Sequence, residues 1–140
     1  MKITIVKKHF LVILMSWFFS NPFFAQYNPE VNSLIKDVKE ASFADSATLF
    51  KKGQQAIAKI SSTKYKGAIA EVYIYYANYF YYTRNIDQAK KYFKEAESKA
   101  QTLSNKHIET LANIRLMFID YELGINESAE QDLLNLLLVT

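Results

Sequence analysis

Residues that interrupt helices are rare in this chain. It contains three glycines and two prolines, and both prolines precede residue 30. Glycine and proline are the strongest local signals for turns and for the ends of regular elements. From residue 31 to residue 140 the scarcity of both therefore favours long helices joined by brief turns over a sheet. We predict an all-α domain.

Six helices are predicted from capping residues and from apolar residues at helical spacing. Asn28 and Pro29 are typical of an N-cap and a first helical position. Asn85, with Gln88 three residues later, starts a later helix in a similar way. The first helix is predicted to start at Pro29, and the second and third are predicted to span about residues 45–60 and 64–83. The fourth is predicted to follow Asn85, and the fifth to span about residues 105–123 and to end near Gly124. The sixth, capped by Asn126, is predicted to reach Val139.

Most residues from Tyr73 to Tyr82 are tyrosine or phenylalanine. Tyrosine and phenylalanine favour strands, so the run alone is compatible with one. Its apolar residues do not alternate with polar ones, however, and the good helix formers of residues 67–71 lead directly into it. An edge strand this aromatic would also invite aggregation. We predict a helix.

The segment that precedes Gln26 has the pattern of a secretory signal peptide. A basic start at residues 1–9 precedes an apolar core at residues 10–19 and a helix-breaking exit that ends at Ala25. Cleavage is expected between Ala25 and Gln26. A retained membrane anchor is the alternative, but the apolar stretch is shorter than the roughly 20 residues that span a bilayer. The predicted domains are a signal peptide, residues 1–25, and a helical domain, residues 26–140.

Charge and cysteine content limit the classes of function. Lys2, Lys7 and Lys8 lie in the signal-like segment, so that 14 of the 17 basic residues remain to balance 14 acidic ones. The exported part is then neutral and lacks the clustered basic face that nucleic-acid binding needs. The chain has no cysteine, which excludes disulfides and a thiolate nucleophile. An apolar core alone must hold the domain together.

Small and aromatic residues recur at a fixed spacing in alternate helices. Ala89, Phe93 and Ala96 are spaced by four and three residues, and related triplets occur in the second and sixth predicted helices. The helix before Ala89 carries a bulky, bulky, small, bulky pattern that packs a helix pair. The earlier triplet is Ser46, Phe50 and Gly53, the later one is Ala129, Leu133 and Leu136, and the residues of the preceding helix are Tyr73, Tyr76, Ala77 and Phe80.

In these residues the segment from about 30 to 139 resembles the tetratricopeptide repeat (TPR) family. The resemblance implies an α-solenoid of about three antiparallel helix pairs, preceded by the signal peptide. The repeat is longer than the family's unit of roughly 34 residues, and helix pairs of the HEAT type, at about 40–47 residues, are the structural alternative. The proline that often closes a TPR unit is absent, and Arg84 stands where the central unit would have glycine between its helices.

The resemblance also implies a concave groove lined by the first helix of each pair. Carried onto the central unit, the groove residues are Glu71, Ile74, Asn78, Tyr81 and Tyr82. Asn78 matches a position at which some family members hold a peptide, but Ile74 replaces the lysine that would complete a carboxylate clamp. Tyrosine faces and one amide suit a protein or peptide partner. The alternative is that most of these tyrosines belong to the core.

Motifs for catalysis and cofactor binding are not recognisable in the sequence. His107 is the one histidine after the signal-like segment, and it has no obvious metal-binding partner. The acidic pairs Glu95 with Glu97 and Asp120 with Glu122 are two residues apart, which points them to different faces of a helix. We expect no catalytic residue, no metal and no cofactor.

The resulting expectation is an exported, periplasmic or secreted bacterial domain that binds a protein or peptide. It resembles the extracytoplasmic sensor part of membrane-bound transcriptional regulators, with a stand-alone adaptor or scaffold as the alternative and an uncharacterised enzyme as a weaker one. No nucleic acid is expected to contact this segment. The apolar run from Leu133 to Leu138 predicts that the repeat domain is incomplete at its C-terminus, so that a membrane contact would involve only the signal segment or a missing C-terminal region.

Overall fold

The protein is described by a computed structural model that covers residue 13, residues 27–124 and residues 128–139. The described part is all-α and contains no strand, which confirms the predicted fold class. The signal peptide predicted for residues 1–25 and the cap predicted at Asn126 lie outside the described residues, apart from residue 13. The helices are α1 (Pro29–Ala41), α2 (Ser46–Ile60), α3 (Ala68–Tyr82), α4 (Ile86–Thr102), α5 (Lys106–Glu122) and α6 (Ala129–Val139).

Asparagine and aspartate side chains fix the starts of four helices. Asn28 Oδ1 accepts a hydrogen bond from the Val31 amide at 2.9 Å, and Asp45 Oδ1 accepts one from the Thr48 amide at 2.8 Å. Asn85 and Asn105 cap α4 and α5 in the same way, each accepting a hydrogen bond from the backbone amide three residues later. Each bond satisfies an amide that the helix itself leaves unpaired. The predicted starts at Pro29 and after Asn85 are confirmed.

The tyrosine-rich segment is a helix, as predicted, but it starts later than expected. α3 begins at Ala68 rather than near Lys64, and Gly67 at its start makes no side-chain cap. The Ala68 amide bonds the Tyr65 carbonyl at 3.0 Å, so a tight turn precedes the helix. Nothing in the spacing of the apolar residues distinguishes this turn from a first helical turn.

The turns after α3, α4 and α5 share one backbone conformation. Arg84, Ser104 and Gly124 have φ angles of 64°, 55° and 64° and follow one another at equal intervals along the chain. After α3 the Asn85 amide bonds the Phe80 carbonyl at 2.8 Å, and after α4 the Asn105 amide bonds the Ala100 carbonyl at 2.8 Å. This left-handed ending closes a helix and turns the chain back. Arginine and serine adopt it at a steric cost that glycine avoids.

Small residues let neighbouring helices approach closely. Each helix contacts the next one along the chain, and α3 also contacts α1 and α5. The side chains of Ala77, Ala89, Ala96 and Ala100 are fully buried where α3, α4 and α5 meet. Lys90 Nζ and Asp120 Oδ1, 2.7 Å apart, add a half-buried ion pair between α4 and α5. As a result α3 lies against four other helices.

Aromatic rings fill the space between α2, α3 and α4. The rings of Phe80 and Tyr92 are stacked at 5.4 Å, and those of Phe50 and Tyr76 lie 4.5 Å apart. Tyr76 is buried, and its hydroxyl points at Gly53 of α2. In the described part of the chain no helix has both the length and the apolar character that crossing a lipid bilayer requires.

Gly53→Ala is predicted to destabilise the fold, although alanine is normally the better helix former by about 1 kcal/mol. An added methyl group would overlap the Tyr76 hydroxyl and lie 2.6 Å from Tyr76 Cε1. Tyr76 is held by neighbouring rings, so we expect a loss of about 1–3 kcal/mol in the free energy of unfolding, measured by urea denaturation. Gln55→Ala, at an exposed position of the same helix, is the control and should be neutral or stabilising. Equal stability of the two variants would contradict the close approach of α2 and α3.

Candidate functional site

Four polar side chains follow one side of α3. Glu71, Tyr75, Asn78 and Tyr82 are spaced by four, three and four residues, which places them in line along a helix. We call this line the polar stripe. The exposed fraction of these side chains rises from 0% at Glu71 and 4% at Tyr75 to 60% at Tyr82, and Asn78 is half-buried. The polar stripe therefore passes from the protein interior to its surface.

Glu71 is a fully buried carboxyl group at the inner end of the polar stripe. Both carboxylate oxygens are enclosed, and neither makes a hydrogen bond of good geometry. Loss of hydration raises the pKa of Glu71 to about 7, although the nearby hydroxyls of Tyr27 and Tyr75 and the charge of Lys39 act in the opposite direction. None of the ion pairs in the described part of the chain includes Glu71. A buried acid with so little compensation is typical of functional sites.

Tyr27 covers Glu71 from outside the helices. Its backbone precedes α1 and is held by Asn32, whose Oδ1 accepts from the Tyr27 amide at 3.1 Å and whose Nδ2 donates to the Tyr27 carbonyl at 2.9 Å. Asn105 Nδ2 donates to the Tyr27 hydroxyl at 3.4 Å, and the Tyr65 ring meets the Tyr27 ring edge-on at 6.2 Å. Burial, followed by the charge of Glu71, raises the pKa of the Tyr27 hydroxyl above its usual value.

Asn105 connects this cover to the rest of the helices. Its Oδ1 caps α5, while its Nδ2 donates to the Gly67 carbonyl at 2.8 Å as well as to Tyr27. Gly67 is the last residue before α3, so a single side chain joins the starts of α3 and α5. The inner end of the polar stripe is consequently a small polar centre built from three separate parts of the chain.

Asn78 carries the second buried acceptor of the polar stripe. Its Oδ1 atom is enclosed and accepts no hydrogen bond in the described part of the chain. A buried acceptor left without a donor costs about 1–3 kcal/mol of folding free energy. Folding alone gives no reason to keep an asparagine here, because an apolar residue of similar size would avoid this loss.

The outer end of the polar stripe lies near a buried arginine of α5. Arg115 is 6% exposed, and burial lowers its pKa to about 9, against the opposing influence of Tyr82 and Tyr81. Tyr81 donates its hydroxyl to Glu122 Oε2 at 2.7 Å, which ties the end of α3 to the end of α5. Tyr82 itself is exposed.

The residues predicted to line a groove occupy different depths. Glu71 and Ile74 are fully buried, Asn78 and Tyr81 are half-buried, and Tyr82 is exposed. Ile74 packs with Phe93 in the core between α3, α4 and α5. The groove stays a prediction, and at its inner end the Tyr27 hydroxyl lies beside Glu71.

Sequence reasoning missed Tyr27, Tyr75 and Asn105 as members of this site. Tyr75 follows Glu71 by one helical turn, and that spacing was available as a signal. Asn105 was recognisable as a helix start but not as a donor to Tyr27. Tyr27 precedes the first predicted helix, and no pattern in the sequence indicates that it folds back over α3.

The rest of the described part of the chain offers fewer features typical of a functional site. A shallow depression of about 290 Å³ between α1 and α2 is lined mostly by exposed polar and charged side chains, among them Asp37, Lys52 and Lys59. Within the described ranges, no three histidine, cysteine, aspartate or glutamate residues are grouped so that they could hold a metal ion. The polar stripe is therefore the best-defined candidate site.

Stability is predicted to fall as the pH rises from about 5 to 8 because of Glu71. Its pKa in the folded chain is about 7 against an ordinary value of 4.5, so the folded state binds more protons than the unfolded state between these values. The free energy of unfolding then decreases with pH through this window, by an amount on the order of 3 kcal/mol. Urea denaturation at several pH values measures it.

The control for this prediction is the difference between the native chain and Glu71→Gln. Desolvation lowers the pKa of His107, which tilts stability the opposite way near pH 6 in both proteins and cancels in the difference. Gln55→Ala, at an exposed position of α2 without a titratable side chain, should leave the pH dependence unchanged. An unchanged pH profile in Glu71→Gln would contradict the enclosed state of Glu71.

Comparisons of the chain with family models, with curated proteins and with solved structures found no match. The function is therefore argued from the repeated helix turns and from the polar stripe. The polar stripe places a buried acid, a buried amide oxygen and an exposed tyrosine in line on α3, which contacts four other helices.

Proposed function

We propose that this chain is a non-catalytic, TPR-like repeat domain that acts outside the cytoplasm and binds a segment of another protein. The partner lies along the polar stripe of α3. In this proposal the six helices form an α-solenoid of three antiparallel pairs. The domain is the extracytoplasmic sensor part of a membrane-bound signalling or transcriptional regulator.

The recurring helix ending is the observation that carries the repeat architecture. Arg84, Ser104 and Gly124 adopt the same left-handed conformation at equal intervals, so that one helix pair separates Arg84 from Gly124. A positive φ angle that recurs at a constant interval after α3, α4 and α5 supports the regular stacking of helices in a solenoid. This pair is longer than a TPR unit of roughly 34 residues and approaches HEAT-type pairs in length. The buried small residues at the positions of the TPR pattern, Ala89 and Ala96, favour the TPR-like alternative.

The arrangement of contacts around α3 also supports a solenoid. α3 contacts α1 and α5 as well as its sequence neighbours α2 and α4. In a solenoid of helix pairs, the first helix of a middle unit contacts the first helices of both adjacent units. The contacts of α3 are those expected for that position.

Binding rather than catalysis is supported by the composition of the polar stripe. Its groups are a carboxyl, an amide and two phenols, which suit hydrogen bonds and ring contacts with a protein partner. Glu71 and Asn78 both hold buried acceptors that the fold leaves without good donors. A partner that brings donors would recover the energy lost in burying them.

Tyr82→Ala is predicted to lower the affinity for the partner at least tenfold without unfolding the domain, since exposed tyrosines are frequent anchors of protein interfaces. A photoreactive p-benzoylphenylalanine at Tyr82 should cross-link the partner in cells, whereas the same group at Ser98, exposed on α4, should not. Mass spectrometry identifies the cross-linked protein, and titration calorimetry with the purified partner measures the change in Kd.

Lys94→Ala, at an exposed position of α4, is the matched surface control and should bind normally. Thermal melting of both variants should agree with that of the native chain within a few degrees. Cross-linking of equal strength from residues 82 and 98, or a Kd that Tyr82→Ala leaves unchanged, would show that the polar stripe is not the binding surface.

Export is tested separately with alkaline phosphatase, an enzyme that is active only after leaving the cytoplasm. A fusion of residues 1–40 to this enzyme is expected to be active in bacterial cells, because residues 1–25 have the pattern of a signal peptide. Leu14→Arg places a charge in the apolar core and should abolish the activity. An inactive fusion that is present at normal abundance would contradict an extracytoplasmic location.

A further inference from the structure

The inner end of the polar stripe carries an enclosed carboxyl group, which a purely structural position does not need. Glu71 is a carboxylate with both oxygens enclosed and no well-formed hydrogen bond. Lys39 is the cation that acts on its pKa, and it is the weakest of the influences on that pKa. Replacement by glutamine or leucine would remove the cost of burying a charge. A group that supplies the missing positive charge is therefore the natural ligand of this position.

Tyr27 is attached more loosely than the helices that it covers. It lies before α1, and its hydroxyl contact to Asn105, at 3.4 Å, is near the upper limit for a hydrogen bond. Its backbone is held by the exposed side chain of Asn32. Asn28 caps α1 independently of the Tyr27 ring. A movement of the ring away from Glu71 would break its contacts to Asn105 and Tyr65 and its packing against the core, while the Asn28 cap of α1 would remain in place.

Arginine fits the vacated position better than other side chains. Two enclosed carboxylate oxygens match the paired N–H groups of a guanidinium, which binds carboxylates through two parallel hydrogen bonds. Lysine offers a point charge and a more strongly hydrated ammonium group, so its burial beside Glu71 would be less favourable. The neighbouring Tyr75 ring also suits a guanidinium, whose flat face stacks on aromatic rings. A neutral side chain would leave the charge of Glu71 uncompensated.

We propose that Tyr27 is an internal occupant of the polar stripe and that an arginine side chain of the partner protein displaces it to pair with Glu71. This inference rests on the proposed function and specifies the chemistry of the partner. The bound segment would place its arginine at Glu71, its backbone donors at Asn78 and an apolar side chain against Tyr82. Glu71 and Tyr82 are three helical turns apart, which four to six residues of an extended segment span.

In the closed state the Tyr27 ring lies beside Glu71, and in the open state it has moved away. Because Tyr27 must be displaced first, the closed state binds the partner more weakly than the open state does. The closed state must open before an arginine reaches Glu71, and the observed affinity falls by the fraction of molecules that are open. Removal of the Tyr27 ring should abolish this penalty. The native chain and its variants are thus expected to differ in affinity in a way that packing alone does not predict.

The test uses N-acetyl-arginine amide as the probe and the uncharged N-acetyl-norleucine amide as its comparison. Binding is followed by chemical-shift changes of backbone amides in the ¹⁵N-labelled full chain. Tyr27→Gly should bind the arginine probe at least tenfold more tightly than the native chain does, with the largest shifts near Glu71. Tyr27→Gly combined with Glu71→Gln should lose this binding, and the norleucine probe should not bind either protein.

Three results would overturn the inference. Equal binding of both probes to Tyr27→Gly would identify an apolar cavity only. Arginine binding that survives Glu71→Gln would place the contact elsewhere. Equal affinity of the native chain and Tyr27→Gly would show that Tyr27 does not block access to Glu71.

Tyr27→Phe is the second variant, for the case that Tyr27→Gly does not fold. It keeps the ring but lacks the hydroxyl contacts to Asn105 and Glu71, and it should bind the arginine probe more tightly than the native chain does. An unchanged affinity of Tyr27→Phe would also overturn the inference.

The cross-linked partner separates this inference from the proposed function. A partner captured through Tyr82 whose Kd is unaffected by Glu71→Gln would refute the arginine contact and leave the binding function standing. Binding of the arginine probe to Tyr27→Gly without any partner at Tyr82 would support the site and refute the proposed function.

Discussion

The enclosure of α3 by four other helices is the constraint on which the rest of this structure depends. A helix in that position buries much of its surface, although Tyr82 at its end is exposed, and its neighbours can approach only where side chains are small. Ala77 and Ala89 make this possible on one side, and Gly53 receives the Tyr76 hydroxyl on another. Bulky rings then fill the remaining space. The tyrosine-rich sequence is in this sense a consequence of the central position of α3.

The same enclosure explains why the polar stripe is informative. On a surface helix, a glutamate and an asparagine are solvated and need no explanation. On α3 Glu71 is fully buried and Asn78 is half-buried, and both hold enclosed acceptor atoms that the fold leaves without well-formed hydrogen bonds. The tie between Tyr81 and Glu122 at the far end shows that the fold can satisfy a polar group on this helix where a neighbour provides a partner. These acceptors are the basis of the proposed recognition at Glu71 and Asn78.

The sequence predicted the features that short-range chemistry decides. Asn28 and Asn85 were predicted as caps, and each accepts a hydrogen bond from the amide three residues later. Asp45 and Asn105, predicted only as approximate helix starts, make the same contact. The predicted start of α3 was early because the turn after Tyr65 depends on packing. The depth of Glu71 could not be predicted, since helical spacing gives the side of a helix but not what covers it. Tyr27 lies outside any periodic pattern, so its contact with α3 is visible only in three dimensions. The solenoid arrangement and the signal peptide stay predictions.

A direct titration of Glu71 tests the central claim that this carboxyl group is enclosed without a compensating charge. Carbon-13 labelling of glutamate side chains, with assignment by the Glu71→Gln variant, lets each carboxyl resonance be followed with pH by nuclear magnetic resonance. The account predicts that the Glu71 resonance titrates near pH 7, where its buried position places it, and that removal of the Tyr27 ring moves its pKa down toward the ordinary value of 4.5. A Glu71 resonance that already titrates near pH 4.5 in the native chain would mean that water or a cation reaches it, which would contradict the account.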